Sequence, residues 1–351
     1  MIPEFSPRPW GTRDLRPIYT RVVGKEPIGE AWLTGDECRV ANGPFSGASL
    51  SELCRRFGRE LIGQAAPQPD RFPLLMKFLF PHDKLSVQVH PDDEGARELG
   101  QPCGKTECWY IVDAKENAEV IVGFRENVTR RRIIEKIEKS CLDELLNCIP
   151  VKKGDLLHIP AGTVHAITEG TLLYEVQETS DATLRLYDWG RLDHKGNPRP
   201  LHVRDALTVL DMTAQSRYHV TPVVFDEPGY RHAIRMACRY FALEEYTFLR
   251  DREVILPAKQ SFRVLSLMSG SLTIQYPDGC ARLSAGDTML LPALLREVRA
   301  TGTKGSTLLV TSVPDIHAEI VSPLSQKGIS AGSIALLGGN RNGKNDLLKY
   351  L

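Results

Sequence analysis

The sequence lacks the features that define several broad classes of protein. No apolar run reaches the roughly 18 residues needed to span a membrane, and residues 1–9 contain no apolar stretch typical of a signal peptide. The 44 basic and 44 acidic side chains cancel, so net charge gives no reason to expect a nucleic acid or an anionic membrane as partner. We therefore expect a cytoplasmic protein whose partner is a small molecule, anionic if a local basic pocket receives it.

Paired cysteines are also lacking. The eight cysteines form no C-x-x-C pair and no dense framework, which argues against a disulfide scaffold and against a zinc site built from thiolates. Reduced thiols in a cytoplasmic protein are the simplest interpretation. The sequence leaves the oligomeric state open.

Short β-type runs separated by Gly, Pro and Asp turns make up most of the chain, which predicts a mostly β fold. At 351 residues the chain is long enough for two domains. The clearest runs cover residues 74–80, 85–90, 108–112, 172–177 and 183–187.

One segment departs from this pattern. Between residues 129 and 146 the apolar side chains recur at helical spacing, and Thr129 is placed to cap the first turn. This predicts a small helical insert at about 127–148. Three arginines at 130–132 lie on it, and without interleaved aromatic residues we interpret them as a solvent-exposed face. A second helix is predicted at 203–210.

A weak internal repeat gives the domain organisation. The pattern Gly-Asp-x4-Pro-Ala starts at Gly154 and again, 132 residues later, at Gly286. Each copy would form a tight Gly-Asp turn between two strands. We therefore predict two copies of one β-barrel unit: a catalytic barrel at 1–212, a second barrel at 213–320 and a C-terminal tail at 321–351.

The two copies differ where chemistry would occur. His165 of the first copy corresponds to Glu297 of the second, and residues 262–276, interpreted as a strand, contain no histidine. We therefore expect the second barrel to bind no metal.

Polar side chains alternate with apolar ones at 85–90. Period-two alternation places Ser86, Gln88 and His90 on one strand face, with Leu85, Val87 and Val89 on the other. A histidine alone on a strand is a weak indication of a metal site.

Two further elements strengthen that indication. Lys105, Glu107 and Trp109 share a strand face, and a Pro-Ala-Gly turn directs His165 inward at the start of a strand. Lys105 and Glu107 alone would form an ordinary salt bridge. Two imidazoles, a carboxylate and a side-chain amide together suit a borderline divalent metal, and a reaction without redox chemistry favours zinc.

The last element covers residues 179–189. Alternation there places Asp181, Thr183, Arg185 and Tyr187 on one face. An arginine facing a barrel interior needs an anionic partner, because an unpaired buried guanidinium is costly. A ligand phosphate or a developing enediolate would serve.

Taken together, these motifs resemble the type I mannose-6-phosphate isomerases of the cupin superfamily, in particular their short bacterial branch. The resemblance extends from about residue 9 into the second barrel, some nine-tenths of the chain. Its segments are PWG at 9–11, GEAW at 29–32, KFL at 77–79, LSVQVHPDD at 85–93, KTECWY at 105–110, GD at 154–155, PAGTVHA at 160–166 and SDATLRLYD at 180–188.

The resemblance implies two cupin-type jelly-roll barrels and a zinc-dependent isomerase that interconverts mannose 6-phosphate and fructose 6-phosphate through an enediolate. It implies one zinc ion per chain. The residues that it assigns are the zinc ligands Gln88, His90, Glu107 and His165, the catalytic residues Arg185 and Lys105, the proton-transfer candidate Asp181, and the phosphate-side candidates Ser86 and Lys77.

One departure from the family pattern leaves the catalytic base open. Longer members carry His-Lys-Pro-Glu where this chain has Gly104-Lys105-Thr106-Glu107, so a role assigned to that histidine has no counterpart here.

Two other functions are compatible with a cupin fold. An Fe(II) oxygenase would use two histidines and a carboxylate, but Gln88 as an extra ligand and the cations Lys105 and Arg185 argue against it. A non-catalytic sugar-binding barrel is disfavoured by the same charged residues. The C-terminal pattern at 333–345 looks like a phosphate-binding loop, but Asn345 replaces its Ser/Thr and only six residues follow.

Overall fold

The computed structural model describes residues 1–20, 24–192, 196–215, 217–277, 279–339 and 345–351. Within these residues the protein is mostly β, with twenty-one strands and seven short α-helices. The fold class predicted from the sequence is confirmed. No helix in the described part of the chain is long and apolar enough to cross a membrane.

The first eleven strands form two antiparallel sheets with an apolar core between them. The six-stranded sheet has the order β1-β2-β3-β10-β5-β8 and the five-stranded sheet β11-β4-β9-β6-β7. Both sheets contribute to one buried cluster, which includes Leu79, Trp109 and Val120. The strands are β1 Glu4–Thr12, β2 Ile28–Trp32, β3 Leu74–Leu79, β4 Val87–Val89, β5 Glu107–Ala114, β6 Glu119–Phe124, β7 Leu146–Pro150, β8 Leu156–Ile159, β9 His165–Ile167, β10 Thr171–Glu178 and β11 Leu184–Tyr187.

The remaining ten strands form a second pair of sheets. Their orders are β12-β13-β14-β21-β16-β19 and β15-β20-β17-β18. These strands are β12 Val223–Glu227, β13 Tyr230–Ala237, β14 Ala242–Phe248, β15 Arg252–Leu256, β16 Arg263–Ser269, β17 Ser271–Tyr276, β18 Gly279–Ser284, β19 Thr288–Leu291, β20 Val298–Gly302 and β21 Thr307–Ser312.

The two sheet pairs repeat one topology. The six-stranded sheets correspond strand for strand, and the turns before β8 and β19 carry the same hydrogen bond. The Asp155 Oδ2 atom accepts from the Lys152 N–H at 2.9 Å, and the Asp287 Oδ2 atom accepts from the Ser284 N–H at 2.8 Å. The preceding glycines have φ values of 86° and 89°, which glycine adopts readily. The repeat in the sequence thus corresponds to a repeated structural unit.

The second unit differs from the first in its smaller sheet, which has no described counterpart of β11. The single strand expected at 262–276 is wrong: Gly270, with a φ of 79°, turns the chain into the β16–β17 hairpin. The domain boundaries at residues 212 and 320 stay a prediction.

The segment predicted as a helical insert contains helix α4, Arg130–Glu138, and a following 3-10 helix, Leu142–Leu145, in place of one continuous helix. Thr129 caps α4 as expected, accepting from the Arg132 N–H, but the helix ends at Glu138. Ser140 then takes a left-handed conformation with a φ of 54°, and Leu146 already pairs in a strand. The second predicted helix is confirmed. The α-helices are α1 Leu50–Phe57, α2 Arg59–Ile62, α3 Asp93–Glu98, α4 Arg130–Glu138, α5 Val203–Val209, α6 Ser322–Gln326 and α7 Ala331–Leu336.

The two units pack against each other through the outer face of each six-stranded sheet. The rings of Phe72 and Phe262 lie 4.5 Å apart, and the Tyr174 hydroxyl contacts Ser266 Oγ at 3.0 Å. These residues, apart from Ser266, belong to one buried apolar cluster drawn from both halves of the chain. The site in the first unit therefore rests on a rigid support.

The C-terminal segment packs on the second unit. Ile334 and Leu337 join a buried cluster with Ile234 of β13. The residues that resembled a strand before a phosphate-binding loop form helix α7 instead. Residues 340–344 of that pattern lie outside the described residues, as does His194.

Candidate metal centre and active site

Three strands of the first unit bring the predicted metal ligands together. β4 ends one residue before His90, β5 begins at Glu107 and β9 begins at His165. The ligand atoms of these three side chains lie within 4.8 Å of one another, and all three side chains are buried. His90 and His165, 75 positions apart in the sequence, thus lie in one group with Glu107, as the sequence predicted.

Gln88, the fourth predicted ligand, lies in the middle of a cross-strand row. It pairs with His165 of β9 on one side and with Arg185 of β11 on the other. Residues directly opposite in antiparallel strands have neighbouring side chains on the same face. The row therefore places Gln88 and Arg185 beside the histidine.

Both histidines are held in the orientation that metal ligands require. The Nδ1 atom of His90 lies 2.7 Å from the Ala182 carbonyl oxygen, and that of His165 lies 2.9 Å from the Thr163 carbonyl oxygen. Each Nδ1–H can donate to its carbonyl, which leaves the Nε2 lone pair free for a metal. The Nε2 atoms lie 3.5 and 3.4 Å from the Glu107 carboxylate.

The contacts and protonation states of these three side chains suit a bound cation. The Nε2 atom of His165 is buried and has no hydrogen-bond partner among the described residues, and the buried Glu107 Oε2 atom faces the Lys105 ammonium at 3.0 Å. Burial lowers the pKa of His90 well below its usual value and also lowers the pKa of His165, so both rings stay neutral. Burial alone would raise the pKa of Glu107, but Lys105 and the two histidines lower it far below its ordinary value. Neutral imidazoles and an ionised carboxylate suit a borderline divalent metal.

Lys105 lies against this group. Its Nζ atom is 3.0 Å from Glu107 Oε2 and 3.1 Å from His90 Nε2. The lysine is buried, with 5% of its surface exposed. A positive charge therefore already occupies the position where two of the three ligand atoms converge, which is a second indication that the group attracts cations.

A further polar layer lies behind the ligands. The Lys77 ammonium pairs with Glu175 Oε1 at 2.9 Å, and the Trp109 indole N–H contacts both Glu107 Oε1 and Glu175 Oε2 at 3.1 Å. Burial tends to lower the pKa of Lys77, but Glu175 and Glu30 together raise it. Burial and repulsion from Glu107 raise the pKa of Glu175. Lys77, predicted on the phosphate side, is therefore engaged in a buried ion pair.

Glu175 was missed by the sequence reasoning. It lies in the β10 sequence TLLYEVQE, where every residue is buried. A carboxylate inside a buried strand rarely occurs without a partner, and this was the signal available in the sequence. Its cross-strand neighbours, Lys77 and Trp109, could not be recognised without the strand register.

The carboxylate of Asp188, three residues after Arg185, binds two further arginines. Asp188, directly after β11, accepts from Arg191 at 2.6 Å and from Arg199 at 2.6 Å. Arg185 donates to the Pro200 carbonyl oxygen at 2.8 Å, while its Nε atom is buried without a hydrogen-bond partner among the described residues. The half-buried Arg185 thus retains an unused donor next to Gln88.

Three sequence assignments on these strands need correction. β11 begins only at Leu184, so Asp181 is exposed and not on the strand face of Arg185. Tyr187 packs into the same apolar cluster as Leu186, because the pairing of β11 with β4 is irregular between Arg185 and Tyr187. Leu85 and Val87, which were predicted to share a strand face, lie in different apolar clusters: Leu85 in the core between the sheets and Val87 in a cluster outside it.

Ser86, the other phosphate-side candidate, lies just before β4 and is buried.

The fold and the site define a class: a duplicated antiparallel β protein with one buried His-Glu-His group that can hold a metal ion. Comparison with known proteins agrees with the sequence motifs. The family description "Phosphomannose isomerase type I, catalytic domain" matches residues 15–120. The chain is 36% identical over 307 residues to the mannose-6-phosphate isomerase ManA of Bacillus subtilis, covering 86% of this chain and 94% of that protein.

Two further relatives are consistent with this match. The mannose-6-phosphate isomerase of Streptococcus mutans is 33% identical over 297 residues, covering 84% of this chain and 92% of that protein. The crystal structure of a Bacillus subtilis mannose 6-phosphate isomerase superposes with a TM-score of 0.80 at 34% identity, covering 89% of this chain and 98% of the other. The chain belongs to the type I phosphomannose isomerase family.

Proposed function

We propose that this protein is a zinc-dependent isomerase that interconverts mannose 6-phosphate and fructose 6-phosphate. The observation that carries the proposal is the buried group of His90, Glu107 and His165 with the Lys105 ammonium against it. Family membership supports the reaction, since the relatives described above carry that name. The substrate is a small sugar phosphate.

Zinc is the metal that fits these donors best. Neutral imidazole nitrogen and carboxylate oxygen are common zinc ligands, and an aldose–ketose isomerisation changes no metal oxidation state. We assign His90, Glu107, His165 and Gln88 as the ligands. When bound, zinc would act as a Lewis acid toward the sugar oxygens at C1 and C2.

The reaction moves one proton between C2 and C1 through a cis-enediolate and exchanges a second between the adjacent oxygens. Lys105 is the better placed group for proton transfer, because it is buried at the ligands whereas Asp181 is exposed. Arg185, beside Gln88, would stabilise the negative charge that develops on the enediolate oxygens. Glu175 and Lys77 would keep Trp109 and Glu107 in place.

We also propose that the two units have different roles. The catalytic barrel would cover residues 1–212, and the second barrel, 213–320, would bind no metal. Supporting this, Arg263 occupies the position in β16 that Glu107 occupies in β5. A cytoplasmic location stays a prediction.

The alternative of an Fe(II) oxygenase shares the two histidines and the carboxylate. Gln88 as an additional ligand argues against it, because an oxygenase needs open coordination positions, and so do the cations Lys105 and Arg185 beside the site.

An isomerisation assay before and after metal removal tests the function. Mannose 6-phosphate should be converted to fructose 6-phosphate by the purified protein, chelation should abolish the conversion, and zinc should restore it. Oxygen uptake that depends on iron would instead support the oxygenase. Binding of the sugar phosphate without turnover, at full zinc occupancy, would contradict the assignment as an enzyme.

A further inference from the structure

The second unit reaches the metal-ligand segment of the first. We infer that Tyr240 and Asp93 are positioning residues: they hold the segment 104–107, which carries Lys105 and Glu107, in the geometry that the metal and the substrate require. This inference rests on the proposed function. It gives the unit without a metal site a role in catalysis beyond packing.

The connection runs through the two oxygens of one carboxylate. Asp93 Oδ1 accepts from the Gly104 N–H at 3.0 Å, and Asp93 Oδ2 accepts from the Tyr240 hydroxyl at 2.9 Å. Asp93 is the first residue of α3, three positions after His90. One side chain therefore links the strand end that carries His90, the segment that carries Glu107, and the second unit.

Hydrogen bonds and close packing restrict how the segment 104–107 can move relative to α3. The Lys105 N–H donates to the Pro91 carbonyl oxygen at 2.9 Å, and the Thr106 N–H donates to Glu178 Oε1 at 2.8 Å. A Cβ atom on Gly104 would lie 2.7 Å from the main chain of Asp92 and Asp93. The Gly104 main chain therefore packs on the main chain of Asp92 and Asp93 with no room for a side chain, and in so densely packed a region a displacement of α3 would move the segment as well.

Tyr240 is itself fixed by the core of the second unit. It lies in the turn between β13 and β14, where the Cys238 N–H donates to the Phe241 carbonyl oxygen at 2.9 Å. Cys238 and Phe241 are buried in the cluster shared by both units. The hydroxyl of Tyr240 also accepts from Arg239 while it donates to Asp93. The hydroxyl is therefore held at a defined position.

The experiment compares two tyrosines that each join the units through one hydroxyl. Tyr240→Phe removes the bond to Asp93. Tyr19→Phe is the matched control, because the Tyr19 hydroxyl donates to the Gly286 carbonyl oxygen at 3.2 Å and its ring packs on Phe5, Phe78 and Phe80. Zinc affinity by chelator competition, kcat, KM and thermal stability are measured for both variants and the wild type.

We expect Tyr240→Phe to lower zinc affinity about 10-fold, as loss of a group supporting a ligand does. kcat at saturating zinc should fall several-fold while KM stays nearly constant, and the Tyr19→Phe values should match wild type. Both variants should lose similar, small amounts of thermal stability.

A second variant separates positioning from a general loss of stability. Asp93→Ala should weaken zinc binding more than Tyr240→Phe, and adding Tyr240→Phe to it should have no further effect, because both changes break one connection. Two results would overturn this inference but not the proposed function, provided that the wild type binds zinc and isomerises its substrate. One is that the losses caused by Asp93→Ala and Tyr240→Phe add up, and the other is that Tyr240→Phe behaves like Tyr19→Phe. A wild-type chain that binds no zinc would overturn the proposed function together with the inference.

Discussion

Arg263 stands in the second unit where Glu107 stands in the first. Glu107 pairs with Ile159 of β8 and Arg263 with Leu291 of β19, at the same point of the repeated sheet. The Arg263 guanidinium is 1% exposed and donates to four main-chain carbonyl oxygens at 2.5 to 3.0 Å. A fixed positive charge thus stands where the first unit has the Glu107 carboxylate. This arrangement would repel a divalent cation.

The buried guanidinium should matter for folding. Arg263→Met would leave four carbonyl oxygens without their donor, and we expect the free energy of unfolding to fall by about 3 kcal/mol. Urea denaturation checks this. Arg299→Met is the control, because the exposed pair of Arg299 with Glu253 should contribute less than about 1 kcal/mol. Equal losses for the two variants would contradict the structural role.

The metal content should follow the first unit alone. Metal analysis of purified protein should give one zinc ion per chain, and Glu107→Gln should lose nearly all of it, because the amide removes the only charged ligand. The same change leaves the buried Lys105 without its carboxylate, so the metal-free variant should also be less stable by about 3 kcal/mol. Two tightly held ions per wild-type chain would refute the assignment of the second unit.

Arg185 should affect catalysis and not metal binding. Arg185→Ala should retain zinc, since a guanidinium is no zinc ligand, and should lower kcat by about two to three decades, equivalent to about 3–4 kcal/mol. KM should change much less, because the enediolate charge exists chiefly in the transition state. Arg204→Ala, on the exposed face of α5, serves as control. A raised KM with unchanged kcat would make Arg185 a phosphate ligand instead.

Stability should fall in mild acid because of His158. Burial lowers the pKa of this histidine to about 4, against the opposing effect of Asp346, whereas an unfolded histidine has a pKa of about 6.5. The unfolded chain therefore binds more protons between these pH values, and the free energy of unfolding decreases as the pH drops from about 6.5 to 4.

His158→Gln should remove about 3 kcal/mol of that decrease. Unfolding in urea at pH 7, 5.5 and 4 measures it, with His82→Gln at an exposed position as control. Parallel pH profiles for wild type and His158→Gln would show that this histidine contributes nothing.

The sequence predicted the grouping of His90, Glu107 and His165 better than the surroundings of that group. His90 and Glu107 could be assigned because strand alternation and spacing are local properties, and the turn before His165 has its own motif. The layer of Lys77, Glu175 and Trp109 depends on strand register, which no local pattern specifies.

Helices were predicted least completely. α1 was missed although Ser49 and Glu52 form a capping box at its start, a signal that was available in the sequence. The insert α4 was extended too far, because the apolar spacing continues past Glu138 while Ser140 adopts a left-handed conformation that ends the helix. The link from Tyr240 to Asp93 joins residues 147 positions apart, and sequence spacing contains no information about it.

The close packing of Gly104 restricts which residues this position can accept. Any side chain at this position meets the main chain of Asp92 and Asp93, so no larger residue fits the present backbone. The start of α3 would have to move first, and Asp93 would take its contacts to Gly104 and Tyr240 with it. A substitution at Gly104 would therefore disturb the link between the two units together with the segment that carries Lys105 and Glu107.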